Sequence, residues 1–168
     1  MKFTGLVYRA HHPRWAFNAT SGDGAARFGG RFNPIGMPAL YTSLHLQTAW
    51  LEAQQGFPLR AQPMTICAYQ VDCTDMRDLT DPACGIAAEI LACRWEDLAL
   101  RKQKPPSWAL VEQLLAENSA GALVPSFAPG AGRYDTNAVF WHWADDPPHQ
   151  VRLVDQHNRM PTDDRSWT

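Results

Sequence analysis

The sequence predicts an α+β fold on three observations. β-rich runs stand near both ends of the chain, helical periodicities gather in the middle, and one long stretch rich in glycine and proline follows no period. Regular alternation of strands and helices would have pointed to a doubly wound sheet instead. The first strand is FTGLVYR, residues 3–9, closed by Arg9. Residues 11–40 then carry five glycines and three prolines in thirty positions and read as a long loop. Ordered loops of that length inside a domain are usually functional, because something other than a ladder must hold their backbone.

A short strand, ALYTS, leads into a helix through HLQTAWLEAQQG, with Thr42 or Ser43 as its cap and Gly56 and Pro58 as its stop. Leu46, Ala49, Trp50 and Ala53 form its expected buried stripe, and Glu52 stands at the stripe's edge, where a carboxylate can face a cleft. MTICAYQVD is the clearest strand. MRDLTD reads as a turn before a helix that Asp81 and Pro82 open and that carries Ile86, Ile90 and Leu91. Pro106 and Ser107 start a further helix with Trp108, Val111, Leu114 and Leu115 on its apolar face and Gly121 at its end. ALVPS, NAVFWHW and QVRLVD are the closing strands, separated by FAPGAGRYDT and a Pro-Pro break. Residues from about 159 to 168 read as a polar tail on a single domain spanning 1–168.

Composition narrows the function. A hydrophobic fraction of 45% with seven Trp and seven Phe supplies a core, and 19% charged residues argue against disorder. The net charge of −2, with Lys and Arg dispersed, gives no phosphate-tracking surface, so nucleic acid is not expected as a direct partner. The N-terminal apolar stretch is too short for a signal peptide, and no window approaches the roughly 18 apolar residues of a membrane span. A cytoplasmic location without membrane contact is expected. Cys67, Cys73, Cys84 and Cys93 form no C-x-x-C pair, and the six histidines lack ligand spacing, so the four cysteines read as small buried residues and no metal is expected.

The chemistry-bearing residues lie in separate segments: Arg9; Arg31 in GGRFNPIGMPALYTSLHLQTAWLE together with Tyr41 and Glu52; Ser126 at the end of GALVPS; and Asn137 in the following Asn-Ala-Val. These segments resemble the RES domain, a family named for an arginine, a glutamate and a serine. The first segment has the family's order of glycines, Arg, Asn, Gly, Tyr-Thr-Ser and Ala-x-x-Glu, and departs from it at Phe32, where a Trp is common. The resemblance implies an ADP-ribosyltransferase-like fold, two packed β-sheets with a central cleft and flanking helices. It also implies a toxin of a type II toxin–antitoxin system that depletes NAD+, held inactive by an Xre-like helix-turn-helix antitoxin whose other end plugs the cleft.

NAD+ makes three demands: its pyrophosphate is anionic, its nicotinamide is a flat cation, and cleavage of its glycosidic bond builds positive charge on the ribose. Arg31, or Arg9 as the second choice, offers a planar fork for pyrophosphate oxygens, and Gly29 and Gly30 would let the backbone approach the phosphates. Tyr41 offers a flat π-face for nicotinamide, although a strand tyrosine is commonly a core residue. Glu52 can hold the ribose hydroxyls and stabilise an oxocarbenium-like transition state, as carboxylates do in glycoside hydrolysis. Ser126 can bond the ribose or orient Glu52, and Asn137 can support the site or simply close a turn. Water, phosphate or a protein side chain could each accept the ADP-ribose. A non-catalytic nucleotide-binding or protein-interaction module on the same fold is the alternative. A phosphate-transferring enzyme has little support, since no G-K-[ST] follows the glycine-rich SGDGAARFGGR.

Overall fold

Side chains that alternate between core and solvent define the longest strands. The structure, a computed structural model, describes residues 1–54 and 63–167. β1 is Phe3–His11 and β3 is Thr65–Cys73, in which Cys67, Tyr69, Val71 and Cys73 point into the core. β2 is Leu40–Ser43, β4 Met76–Asp78, β5 Gly121–Pro125, β6 Thr136–Phe140 and β7 His149–Leu153. All seven join one sheet in the order β4-β5-β6-β2-β1-β3-β7. Every pairing is antiparallel except β4 with β5, whose crossover connection holds the helices of the middle of the chain.

The α+β class and the flanking helices are as the sequence predicts. The strands that the resemblance divides between two packed sheets remain hydrogen-bonded in one order, and the division falls at a seam inside it. β1 and β3 are in register at nine positions, whereas β1 meets β2 only at Tyr8 opposite Ser43. The half with β2, β6, β5 and β4 is therefore joined to the half with β1, β3 and β7 through a single ladder pair. β5 and β6 are buried almost continuously, as strands covered on both faces must be. One face packs Val7, Leu40, Tyr69, Val71 and Phe140, and the other packs Val111, Leu114, Val124, Val139 and Trp141.

The helices depart from expectation in instructive ways. Helix α2, Leu46–Gln54, buries Thr48 and Ala49, while Leu46 and Trp50 are 46% and 40% exposed. The expected apolar stripe is thus corrected to a narrow face of small residues that lets the helix approach β1 and β2 closely. Thr42 and Ser43 do not cap it, because their hydroxyls are committed to Ala138 O and to Asn137 Oδ1 across β6. Its expected stop at Gly56 and Pro58 lies outside the described residues.

The long loop contains a 3-10 turn, Pro13–Asn18, and a short helix α1, Asp23–Phe28. The expected single helix after Asp81 is two pieces, a 3-10 turn Pro82–Cys84 and α3 at Ala88–Leu91, and a further helix, α4, follows at Trp95–Leu100. Asp81 does cap the first piece, accepting from Ala83 N at 2.8 Å, but Gly85 at φ 76° breaks the helical path. Helix α5, Pro106–Ala116, ends before Asn118 at φ 60°, not at Gly121. Gly121 instead lies in β5, where a Cβ would come within 2.4 Å of Val139 O. The described part of the expected tail folds back: Arg159 N and Met160 N donate to the Asp155 carboxylate, and Met160 packs against the core.

Candidate active site

At the seam between the two halves lies a cleft of about 720 Å³. β1 contributes Arg9, β2 contributes Tyr41 and Ser43, α2 contributes Glu52, β6 contributes Asn137, and the segment after α1 contributes Arg31. Arg9 and Asn137, 128 positions apart in the sequence, therefore share one hollow, because the chain crosses the seam repeatedly.

Glu52 sits one turn beyond Thr48 on the face of α2 turned to the sheet. Its Oε1 accepts from Ser126 Oγ at 2.6 Å and from Asn137 Nδ2 at 2.5 Å. Ser43 Oγ donates to Asn137 Oδ1 at 2.7 Å, and Ala128 N donates to Ser126 Oγ at 3.3 Å. Oε2 takes no hydrogen bond among the described residues. Two donors on one oxygen fix the rotation of the carboxylate. Ser126 touches Glu52 but does not itself line the cleft. Helix α2 is tied to the same loop a second time, since Thr48 Oγ1 donates to Asp135 Oδ1 and Gly132 N donates to Asp135 Oδ2.

Arg31 forms part of the facing wall. Its Nη1 donates to Leu91 O at 3.2 Å and to Cys93 O at 2.5 Å, and its guanidinium lies 4.3 Å from the centre of the Phe127 ring. Burial lowers the pKa of this group below the ordinary arginine value, opposed by Cys93, Glu52, Glu96 and Tyr41 nearby. Nε and Nη2 have no hydrogen-bond acceptor among the described residues, which leaves one edge of the fork for a ligand. Arg9 is similar: its Nη1 donates to Ala19 O and Ser21 O at 3.2 and 2.9 Å.

Tyr41 lines the cleft with its ring, while its hydroxyl donates to Asn33 Oδ1 at 2.8 Å and accepts from Phe32 N at 2.9 Å. Burial pushes the phenol pKa up, so it stays a neutral hydroxyl. Asn33, fully buried, donates through Nδ2 to Ala25 O, Pro34 O and Met37 O. Gly30 fits beneath this pair: a Cβ there would lie 2.6 Å from both Asn33 Oδ1 and Tyr41 Oη. The missing side chain at Gly30 thus serves internal packing, and both Gly29 and Gly30 line the cleft. Indole Nε1 groups of Trp108 and Trp141 donate to Gly30 O and Phe32 O, each at 2.8 Å, on either side of Arg31.

Sequence reasoning missed Asn33, Ser43 and Phe127. The Asn-Pro turn was a signal for Asn33, but nothing local marks a buried serine or an arginine-stacking phenylalanine. Cys67 and Cys73 are buried as expected, whereas Cys93 is half-buried, with its thiol 3.3 Å from Ser107 Oγ and its carbonyl on Arg31. Among the described residues no group of three or more His, Cys, Asp or Glu is placed to hold a metal ion.

Comparison with known proteins adds a family. The backbone matches a chain of the crystal structure of the M. tuberculosis MbcT–MbcA toxin–antitoxin complex with a TM-score of 0.63 and 22% identity, over 92% of this chain and 84% of that one. That likeness establishes a shared fold. No curated protein sequence matches the chain. The family model of the RES domain matches residues 6–163. The match begins inside β1 and ends beyond β7, so it takes in every wall of the cleft, and the chain belongs to the RES domain family.

Proposed function

We propose that this protein is the toxin of a toxin–antitoxin pair and breaks the bond between nicotinamide and ribose in NAD+. The observation that carries the reading is the Glu52 carboxylate, held by two donors on one oxygen and sharing a cleft with Arg31. Arg31 grips pyrophosphate oxygens through its free edge, with Arg9 as a second cation on the β1 side. The Tyr41 ring forms the wall against which nicotinamide lies. As the C–N bond breaks, its electron pair leaves with nicotinamide, which becomes neutral, and the positive charge moves to the ribose. Glu52 lowers the energy of that charge without forming a bond to it. Ser126 and Asn137 act as positioning residues for Glu52.

Water captures the ribosyl cation to give ADP-ribose and a proton, or phosphate captures it to give the phosphorylated sugar; transfer to a protein side chain is the same step with a different acceptor. The partner is an antitoxin of the Xre-like helix-turn-helix kind that covers the cleft, in keeping with the toxin–antitoxin complex whose fold this chain shares. Cytoplasmic action fits a substrate of that compartment, and among the described residues no helix is long and apolar enough to cross a membrane.

The test uses purified protein and NAD+ labelled in its adenylate half, with water, phosphate or total cell protein as acceptor. Nicotinamide release by the wild type is expected, with Glu52→Gln slower by about 10²-fold or more, the usual loss when one charge-stabilising group is removed. Binding of NAD+ with no release under any acceptor would favour the non-catalytic module and overturn the enzymatic reading.

A further inference from the structure

Ser43 lies where the two halves of the sheet meet. It is in register with Tyr8 of β1 on one side and with Asn137 of β6 on the other, and it is 3% exposed. Its neighbour Thr42 sends a hydroxyl to a backbone carbonyl, Ala138 O, an ordinary sheet contact. Ser43 instead donates to a side chain, Asn137 Oδ1.

An asparagine amide has one accepting end and one donating end of nearly equal size. Glu52 as a carboxylate only accepts, so Asn137 must turn Nδ2 toward it, which points Oδ1 into the sheet. Asn137 is buried, so that carbonyl oxygen needs a donor of its own or carries a desolvation cost. Ser43 is that donor. With the hydroxyl gone, the orientation that serves Glu52 would leave a buried acceptor unpaired, and the reverse orientation would set carbonyl oxygen against carboxylate oxygen.

We infer that Ser43 is a positioning residue of the reaction, holding the Asn137 amide in the orientation that donates to Glu52 and so fixing where Oε2 points in the cleft. The inference rests on the reading of Glu52 given above. It assigns β2 a task beyond pairing: the chain Ser43, Asn137, Glu52 runs from strand to strand to helix across the site. Ser126 completes the arrangement from the opposite loop.

The experiment compares wild type, Ser43→Ala, Ser43→Thr, Asn137→Ala and the Ser43→Ala/Asn137→Ala double variant. Each is measured for steady-state nicotinamide release and, independently of activity, for its side-chain amide signals in ¹H–¹⁵N spectra, the Asn137 pair being assigned by its loss in Asn137→Ala. Ser43→Ala is expected to lower kcat about tenfold or more, the worth of the charge-assisted Asn137–Glu52 bond that the wrong amide orientation forfeits, while KM stays within about twofold. Ser43→Thr, which keeps the hydroxyl, recovers activity. The double variant falls no further than Asn137→Ala alone, because Ser43 acts through Asn137, and the Asn137 amide signals move in Ser43→Ala.

Additive losses in the double variant, an unchanged kcat in Ser43→Ala, or unmoved Asn137 signals would overturn the inference. If the Thr methyl prevents folding, as thermal denaturation would reveal, the double-variant comparison still decides. If the wild type releases no nicotinamide, the functional reading fails, and the amide signals alone settle whether Ser43 sets the Asn137 orientation.

Discussion

Tyr41 is held by its hydroxyl and offers its ring. Tyr41→Phe keeps the π-face but leaves Asn33 Oδ1 and Phe32 N–H short of a partner, which is expected to cost about 1–3 kcal/mol of stability, read from urea unfolding. An unchanged midpoint would mean that the hydroxyl anchors nothing. Gly30→Ala presses on the same pair from below and should cost about 1–3 kcal/mol through overpacking. Tyr41, Glu52 and Arg31 were legible as single residues because a phenol, a carboxylate and a guanidinium each announce a chemistry. Ser43 and Phe127 were not, because a serine or phenylalanine is distinguished only by the side chain that faces it, and their partners lie 94 and 96 positions away.

Helix α2 and the loop before β6 behave as one element, joined through Thr48 with Asp135 and through Glu52 with Ser126 and Asn137. The Thr48 hydroxyl, followed by Gly132 N–H, holds the Asp135 carboxyl below the usual aspartate range. A folded-state pKa lowered in this way contributes stability above the unfolded value of about 3.9 and loses it as pH falls below that value. Melting temperature should therefore fall in acid below about pH 4, and Asp135→Asn, less stable at neutral pH, should show a shallower fall. Parallel acid limbs for the two proteins would count against this tie. The existence of α2 was legible from its helical period, and Glu52 from its spacing to Ala49. Its buried face was misread, because Thr48 is polar by composition and buried only through a partner 87 positions on. β4, three residues long, was read as a turn, since a period of two cannot show itself over so short a run. The helical pieces before α4 were merged in the reading because Gly85 breaks the path through a backbone angle that composition does not display.

Over the whole molecule, the seam sets the terms. A single sheet shared by both halves predicts one cooperative unfolding transition, the same by circular dichroism and by near-ultraviolet signals; separate transitions would divide the chain into two folding units. A ligand seated across the seam ties the halves together, so NAD+ at 100 times its Kd should stabilise Glu52→Gln by about 2.7 kcal/mol. The α+β class was visible in the distribution of elements along the chain, but the seam was not, because it arises where β1 and β2 share a single register pair and no residue type encodes how long a ladder two strands share. The indoles of Trp108 and Trp141 grip the carbonyls on either side of Arg31. The segment proposed to meet the pyrophosphate is therefore wired to two native fluorophores, and occupancy can be followed without a dye: titrating dinucleotide into Glu52→Gln should shift the intrinsic emission, and Trp108→Phe should diminish that response.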